Sequence, residues 1–126
     1  LALTFVGRLM IPTVPYKNAY FLEDAKVFRK ELKMPLIYVG GMVDKNDMET
    51  VLNEGFVAFQ MARSLIRDTD FVNKLREGKT THSECMHSNY CVGRMYTIDM
   101  KCHSCVENLP EKLKREIEKA EAVNRK

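Results

Sequence analysis

The sequence predicts an α/β protein with a parallel sheet, and three observations carry that expectation. Two short apolar runs, Pro35-Leu36-Ile37-Tyr38-Val39 and Phe56-Val57-Ala58-Phe59-Gln60-Met61, each lead into small residues. Continuous apolarity over so few residues suits strands of a parallel sheet buried on both faces. Between the runs, Met48, Val51 and Leu52 fall at helical spacing, as they would on a helix with one apolar stripe. Strand, helix and strand in about thirty residues form a βαβ unit, whose strands are parallel and whose crossover is right-handed.

The remaining elements follow in chain order. The opening run Leu1-Ala2-Leu3-Thr4-Phe5-Val6 reads as one more strand, and residues 7–17, with Pro12 and Pro15, read as a loop. The chain starts at Leu1, without an initiator methionine and directly in an apolar run, as a chain cut from a longer one would. Leu22, Ala25 and Phe28 lie at helical intervals, so a helix precedes the first central strand. Asp44 or Asn46 caps the helix of the βαβ unit, because a short side-chain oxygen satisfies free backbone N–H groups, and Gly55 stops it. Asp68 or Asp70 then caps a helix that runs through Phe71, Val72 and Leu75 to Gly78. From Pro110 onward, Leu113, Ile117 and Ala120 mark a narrow apolar face, while Glu111 with Arg115 and Lys114 with Glu118 are spaced as i,i+4 pairs. A solvated helix is expected there.

Composition narrows the function classes. Hydrophobic residues make up 45% and charged residues 29% of the 126, which is the balance of a globular chain and not of a disordered polymer. The net charge of +3 is spread among Asp and Glu with no aromatic interleaving, so no nucleic-acid partner is expected. No apolar stretch approaches the ~20 residues that span a bilayer, and no signal pattern opens the chain. A cytoplasmic protein without a membrane partner is expected.

Two places carry chemistry. In parallel α/β proteins ligands sit beyond the carboxyl ends of the strands, and in barrels the last two strand-to-helix loops commonly hold a phosphate. Gly40-Gly41 has no side chains to block an anion from the backbone, and Ala62-Arg63 joins a small residue, a cation and the start of a short helix. These four positions are the candidate binding residues. The second place is Cys85-x5-Cys91-x10-Cys102-x2-Cys105, which holds all four cysteines. That clustering indicates a local site, since thiolates ligate zinc and iron-sulfur clusters, and not a disulfide-built fold. His87 or His103 could complete a zinc set.

At the strand ends the residues resemble a known family. Pro35-Leu36-Ile37-Tyr38-Val39-Gly40-Gly41, a helix ending Leu52-Asn53-Glu54-Gly55, and Gln60-Met61-Ala62-Arg63-Ser64-Leu65-Ile66-Arg67-Asp68-Thr69-Asp70-Phe71-Val72-Asn73-Lys74-Leu75 look like strands seven and eight of the NADH:flavin oxidoreductases, the old yellow enzyme family. The similarity covers residues 20–105. It implies the C-terminal portion of a (β/α)8 TIM barrel, its last two to three β/α units, followed by a cysteine-bearing loop and a C-terminal helix. On that reading residues 1–80 are partial barrel, 81–109 the cysteine segment and 110–126 the charged helix. A complete barrel needs about 250 residues, so an N-terminal half would be missing and self-association would be expected at the unpaired sheet edges.

The resemblance further implies that backbone groups around Gly40, Gly41, Ala62 and Arg63 hold the phosphate of FMN, with NADH or NADPH as reductant and an enone or enoyl-type acceptor. Ala62 stands where the family usually has Gly, so the backbone there must keep an ordinary conformation. In the longer members, similar to dienoyl-CoA reductase, a four-iron cluster sits on Cys-x2-Cys-x3-Cys plus a distant fourth Cys. Here Ser88 occupies the second ligand position and the spacing to Cys91 is one residue short, so Cys85, Cys91, Cys102 and Cys105 are either a degenerate iron-sulfur site or plain thiols. Catalytic residues remain unassigned and would lie before Leu1; the tyrosines Tyr16, Tyr20, Tyr38, Tyr90 and Tyr96 read as packing residues. Two alternatives stay open: half of another phosphate-binding β/α barrel, of aldolase or isomerase type, and a non-catalytic cysteine module that binds metal.

Overall fold

The computed structural model describes residues 15–95 and 99–124. The expected strand at residues 1–6 and most of the loop at 7–17 lie outside the described residues.

The elements in chain order are helix α1 (Leu22–Glu31), strand β1 (Ile37–Val39), helix α2 (Lys45–Asn53), strand β2 (Ala58–Gln60), short helices α3 (Arg63–Arg67), α4 (Phe71–Arg76) and α5 (Tyr90–Arg94), a 3-10 turn (His103–Cys105) and helix α6 (Glu111–Asn124). β1 and β2 pair in parallel with Ile37 opposite Ala58, Tyr38 opposite Phe59 and Val39 opposite Gln60. The α/β class and the βαβ unit therefore stand as the apolar runs indicate. Both strands are shorter than those runs, because Pro35 and Leu36 only lead into β1 and Phe56 turns inward before β2.

Local signals explain the boundaries. Asp44 is the cap of α2: its carboxylate accepts the Asn46 N–H at 2.8 Å. Gly55 follows the helix at φ +91, a left-handed position that L side chains rarely adopt. Ahead of α4, the Asp68 carboxylate accepts the Asp70 N–H at 3.0 Å, so Asp68 supplies the hydrogen bond although Asp70 is the boundary residue. Past the end of α4, Lys79 N–H reaches the Lys74 carbonyl at 2.9 Å and Gly78 N–H the Leu75 carbonyl at 3.1 Å, the paired bonds of a Schellman stop.

The core is built from Tyr38, Met42, Met48, Val51, Phe56 and Phe71, with Leu22, Ala25, Leu36, Phe59, Met61, Leu65 and Leu75 packed around it. Tyr38 sets its centre: its ring meets Phe56 edge-on at 5.6 Å and its hydroxyl accepts the Phe21 N–H at 3.1 Å. Burial on both strand faces does not hold among the described residues. Tyr38 is 2% exposed, whereas its neighbours Ile37 and Val39 are 56% and 58% exposed, because helices cover one face of the sheet only. α6 also departs from a purely solvated helix. Ile117 is buried and Leu113 and Ala120 are half-buried, and the ion pairs Lys114–Glu111 and Lys119–Glu116 are spaced i,i+3.

Burial pushes the Tyr38 phenol above its ordinary pKa, against the opposing Phe21 N–H. The folded state thus holds this proton more tightly than the unfolded chain. Its contribution is fully present below the ordinary phenol pKa of about 10 and falls away as pH rises beyond it. We expect urea unfolding midpoints to decline more steeply above about pH 10 for the wild-type chain than for Tyr38→Phe. Parallel declines would show that this phenol does not carry the alkaline loss.

Candidate functional site

The in-register pairing ends β1 and β2 at one level of the sheet, with Val39 beside Gln60. The residues that follow, Gly40 to Val43 and Met61 to Ser64, therefore leave the same edge side by side. A cross-tie fixes them: the Ser64 hydroxyl donates to the Met42 carbonyl at 3.1 Å, and Ser64 is 2% exposed. A hydrogen bond sealed from water in this way contributes about 1 kcal/mol net, and more is lost if one partner is left unpaired.

Gly40, Gly41, Ala62 and Arg63, the four positions singled out from sequence, all line one cavity of about 100 Å³. The glycines are there for the backbone. Gly40 has φ +138 and Gly41 φ +68, and a Cβ on Gly41 would stand 2.8 Å from the Ala19 backbone nitrogen. Residues 16–19 lie that close because the Ala19 N–H donates to the Gly41 carbonyl at 3.2 Å and the Tyr16 hydroxyl to the same oxygen at 3.0 Å. Ala62 has φ −121, an ordinary conformation in which glycine is not needed.

Arg63 is the charged side chain among the described residues that line the cavity, and no Asp or Glu joins it. The guanidinium donates to the Asn89 side-chain oxygen at 2.8 Å and lies 5.6 Å from the centre of the Tyr16 ring, within cation–π range. Tyr16 in turn stacks on His87, with ring centroids 3.3 Å apart and planes 10° from parallel. Burial pushes His87 down to about 4, with Arg63 and His82 acting in the same direction, and burial raises Tyr16 against the opposing Arg63. Both rings are uncharged near neutral pH, which leaves Arg63 as the charged group among these lining side chains.

Sequence reasoning missed Tyr16, His87 and Asn89 as parts of this place. Tyr16 comes with the bonds to Gly41, whereas His87 and Asn89 arrive because residues 81–83 run antiparallel to residues 43–45: Asp44 bridges His82, Lys45 N–H reaches the Thr81 carbonyl at 2.9 Å and Ser83 N–H the Val43 carbonyl at 2.8 Å. The cysteine segment is thereby brought across the strand tips. The available hint was two residues inside Cys85–Cys91, and Asn in particular accepts the left-handed conformation that Asn89 adopts at φ +58.

The cysteines are all free thiols. Cys85, Cys91 and Cys102 line a second cavity of about 20 Å³, and Cys105 is not part of its lining. Ser88, in the second ligand position of the resembled cluster motif, faces His103 Nδ1 at 3.2 Å, while His103 Nε2 pairs with Glu121 at 3.1 Å. Among the described residues no group of three or more His, Cys, Asp or Glu side chains is arranged to hold a metal ion. The donor set as it stands does not fit a four-iron cluster. Burial raises the Cys85 thiol above its ordinary pKa, with Arg63 and the His87 backbone opposing. The phenols have packing partners: Tyr90 accepts from Arg94 at 2.9 Å, and Tyr20 meets Phe21 edge-on. Tyr96 lies outside the described residues, and no helix among those residues is long and apolar enough to cross a membrane.

No family model matches the chain, and no solved structure matches it. Among curated proteins, it is 40% identical over 95 residues to a 4,4'-dithiodibutanoate disulfide reductase of Rhodococcus erythropolis, covering 75% of this chain and 24% of that protein. It is 28% identical over 96 residues to an N,N-dimethylglycine/sarcosine dehydrogenase of Chromohalobacter salexigens, covering 74% of this chain and 14% of that protein. Both relatives are oxidoreductases by name. The chain spans about a quarter or less of the length of the curated relatives it matches.

The two tips make opposite demands on small residues. Gly41→Ala forces a side chain into a left-handed backbone and against the Ala19 nitrogen, and is expected to cost about 2–3 kcal/mol in urea unfolding. Ala62→Gly changes only chain freedom and should cost about 0.5–1 kcal/mol. Equal effects would show that the tip backbone differs from the one described.

Proposed function

We propose that this chain is the FMN-phosphate-binding, C-terminal portion of a (β/α)8-barrel oxidoreductase, which takes electrons from NADH or NADPH and passes hydride to a small-molecule acceptor of enone or enoyl type. The observation that carries the reading is the convergence of Gly40, Gly41, Ala62 and Arg63 on one cavity whose lining holds a guanidinium and no carboxylate. Backbone groups at open strand tips together with one arginine are the chemistry that recognises a phosphoryl group.

Further support comes from the relatives. One is named for the reduction of a disulfide and the other for the dehydrogenation of methylated amines, both of them redox reactions, which favours a flavin over the sugar phosphate of an aldolase or isomerase. The uncovered Ile37 and Val39 supply a sheet face on which the remaining barrel strands would pack. FMN, when bound, supplies the two-electron chemistry. The residues of this chain bind and orient its phosphate: Arg63 by a charge-assisted contact, and Gly40 and Gly41 by leaving the backbone bare. No acid, base or hydride-positioning role is assigned to any of them.

FMN and riboflavin differ by the phosphate alone, so flavin fluorescence titrations of the 126-residue chain test this directly. FMN should bind and riboflavin should bind at least about tenfold more weakly, and Arg63→Ala should weaken FMN by about 10- to 100-fold, the range for loss of a charged hydrogen-bonding partner. FMN and riboflavin binding alike, or FMN not binding, would sink the reading. A sugar phosphate that displaces FMN at equal concentration would favour the aldolase or isomerase alternative.

A further inference from the structure

Two asparagines meet the walls of the strand-tip cavity from distant parts of the chain. Asn124, in the last turn of α6, accepts the Tyr16 N–H on its side-chain oxygen at 3.0 Å and donates its side-chain amide to the His87 carbonyl at 3.1 Å. Tyr16 and His87 are the stacked pair that lines the cavity. A single side chain can join a backbone donor to a backbone acceptor in this way only if it carries both functions, as an amide does and a carboxylate does not. Asn89 accepts from Arg63 at 2.8 Å, which fixes the guanidinium at the cavity rim.

We propose that Asn124 and Asn89 are positioning residues of this cavity: Asn124 holds the Tyr16–His87 stack as one wall and Asn89 holds Arg63 against the opening, so that a phosphate anion is enclosed and not merely met at a surface. The inference rests on the anion reading above and extends it to a role for the cysteine-bearing segment and for α6. Ser88 takes one cluster-ligand position out of thiolate chemistry, yet that segment still delivers His87 and Asn89 to the strand tips. α6 docks independently of Asn124, through buried Ile117 and the Glu121–His103 pair. Removing the Asn124 amide should therefore leave the helix in place and release only the wall.

The test is proton NMR of the 126-residue chain combined with titration by inorganic phosphate. In the wild-type chain, ring protons of Tyr16 and His87 should show mutual Overhauser contacts. Asn124→Ala removes both hydrogen bonds and should weaken those contacts and lower phosphate affinity by about tenfold, with an unchanged far-ultraviolet circular dichroism spectrum. Asn124→Asp keeps the acceptor for Tyr16 but sets a carboxylate against the His87 carbonyl, and should not rescue binding. Asn89→Gly, which permits the same backbone conformation, should weaken phosphate while the ring contacts persist. Lys119→Ala, on the exposed face of α6, should change neither readout.

Ring contacts that survive in Asn124→Ala, or phosphate affinities in both asparagine variants equal to that of the wild type, would overturn the proposal. If the wild-type chain takes up no phosphate, the anion site itself falls, and the ring contacts still decide whether Asn124 holds the wall.

Discussion

The parallel register between β1 and β2 is the constraint on which the rest of the site depends. Because Val39 stands opposite Gln60, both strands release their chains at one level. A one-residue slip would turn Tyr38 out of the core and carry the two loops out of step. The Ser64–Met42 hydrogen bond then ties the loops in the positions the pairing gives them. Register depends in turn on Tyr38, whose buried ring and capped hydroxyl anchor β1 to α1 and to Phe56. Packing in the core thus bears on the geometry at the strand tips.

What the tips can do follows from which charges surround them. Arg63, the Tyr16–His87 stack and the bare glycine backbone share a lining that holds no carboxylate, the setting on which the anion proposal rests. The cysteine segment gains a structural meaning here that its thiols alone do not supply. By pairing with residues 43–45 it walls the tips. Oxidoreductase relatives are consistent with such a cavity serving a phosphate-bearing redox cofactor.

Much of the fold was legible from sequence because the signals were local. Apolar runs, Asp44 as a cap and Gly55 and Gly78 as stops each act within a few residues, and each has its effect in the structure. Gly40, Gly41, Ala62 and Arg63 were legible as candidates since both strand ends were recognisable, and a βαβ unit brings such ends together. The strand faces were read less well: apolarity at Ile37 and Val39 indicates burial but does not say what covers them, and among the described residues both stay more than half exposed. Long-range partners left no local trace. The bond from Asn124 to Tyr16 spans 108 positions, and no periodicity or spacing marks either residue. His87 and Asn89 were hidden for another reason, since their neighbours invite a metal reading and the returning bridge at His82 has no sequence signature.

The central claim is that both strand tips serve one anion. Amide chemical shifts of the 126-residue chain, followed by two-dimensional NMR as inorganic phosphate is added, address it most directly. The account predicts that the amides of Gly40, Gly41, Ala62 and Arg63 move together along a single saturation curve with one dissociation constant. Movement at one tip while the other stays still, or separate curves with different constants, would contradict it.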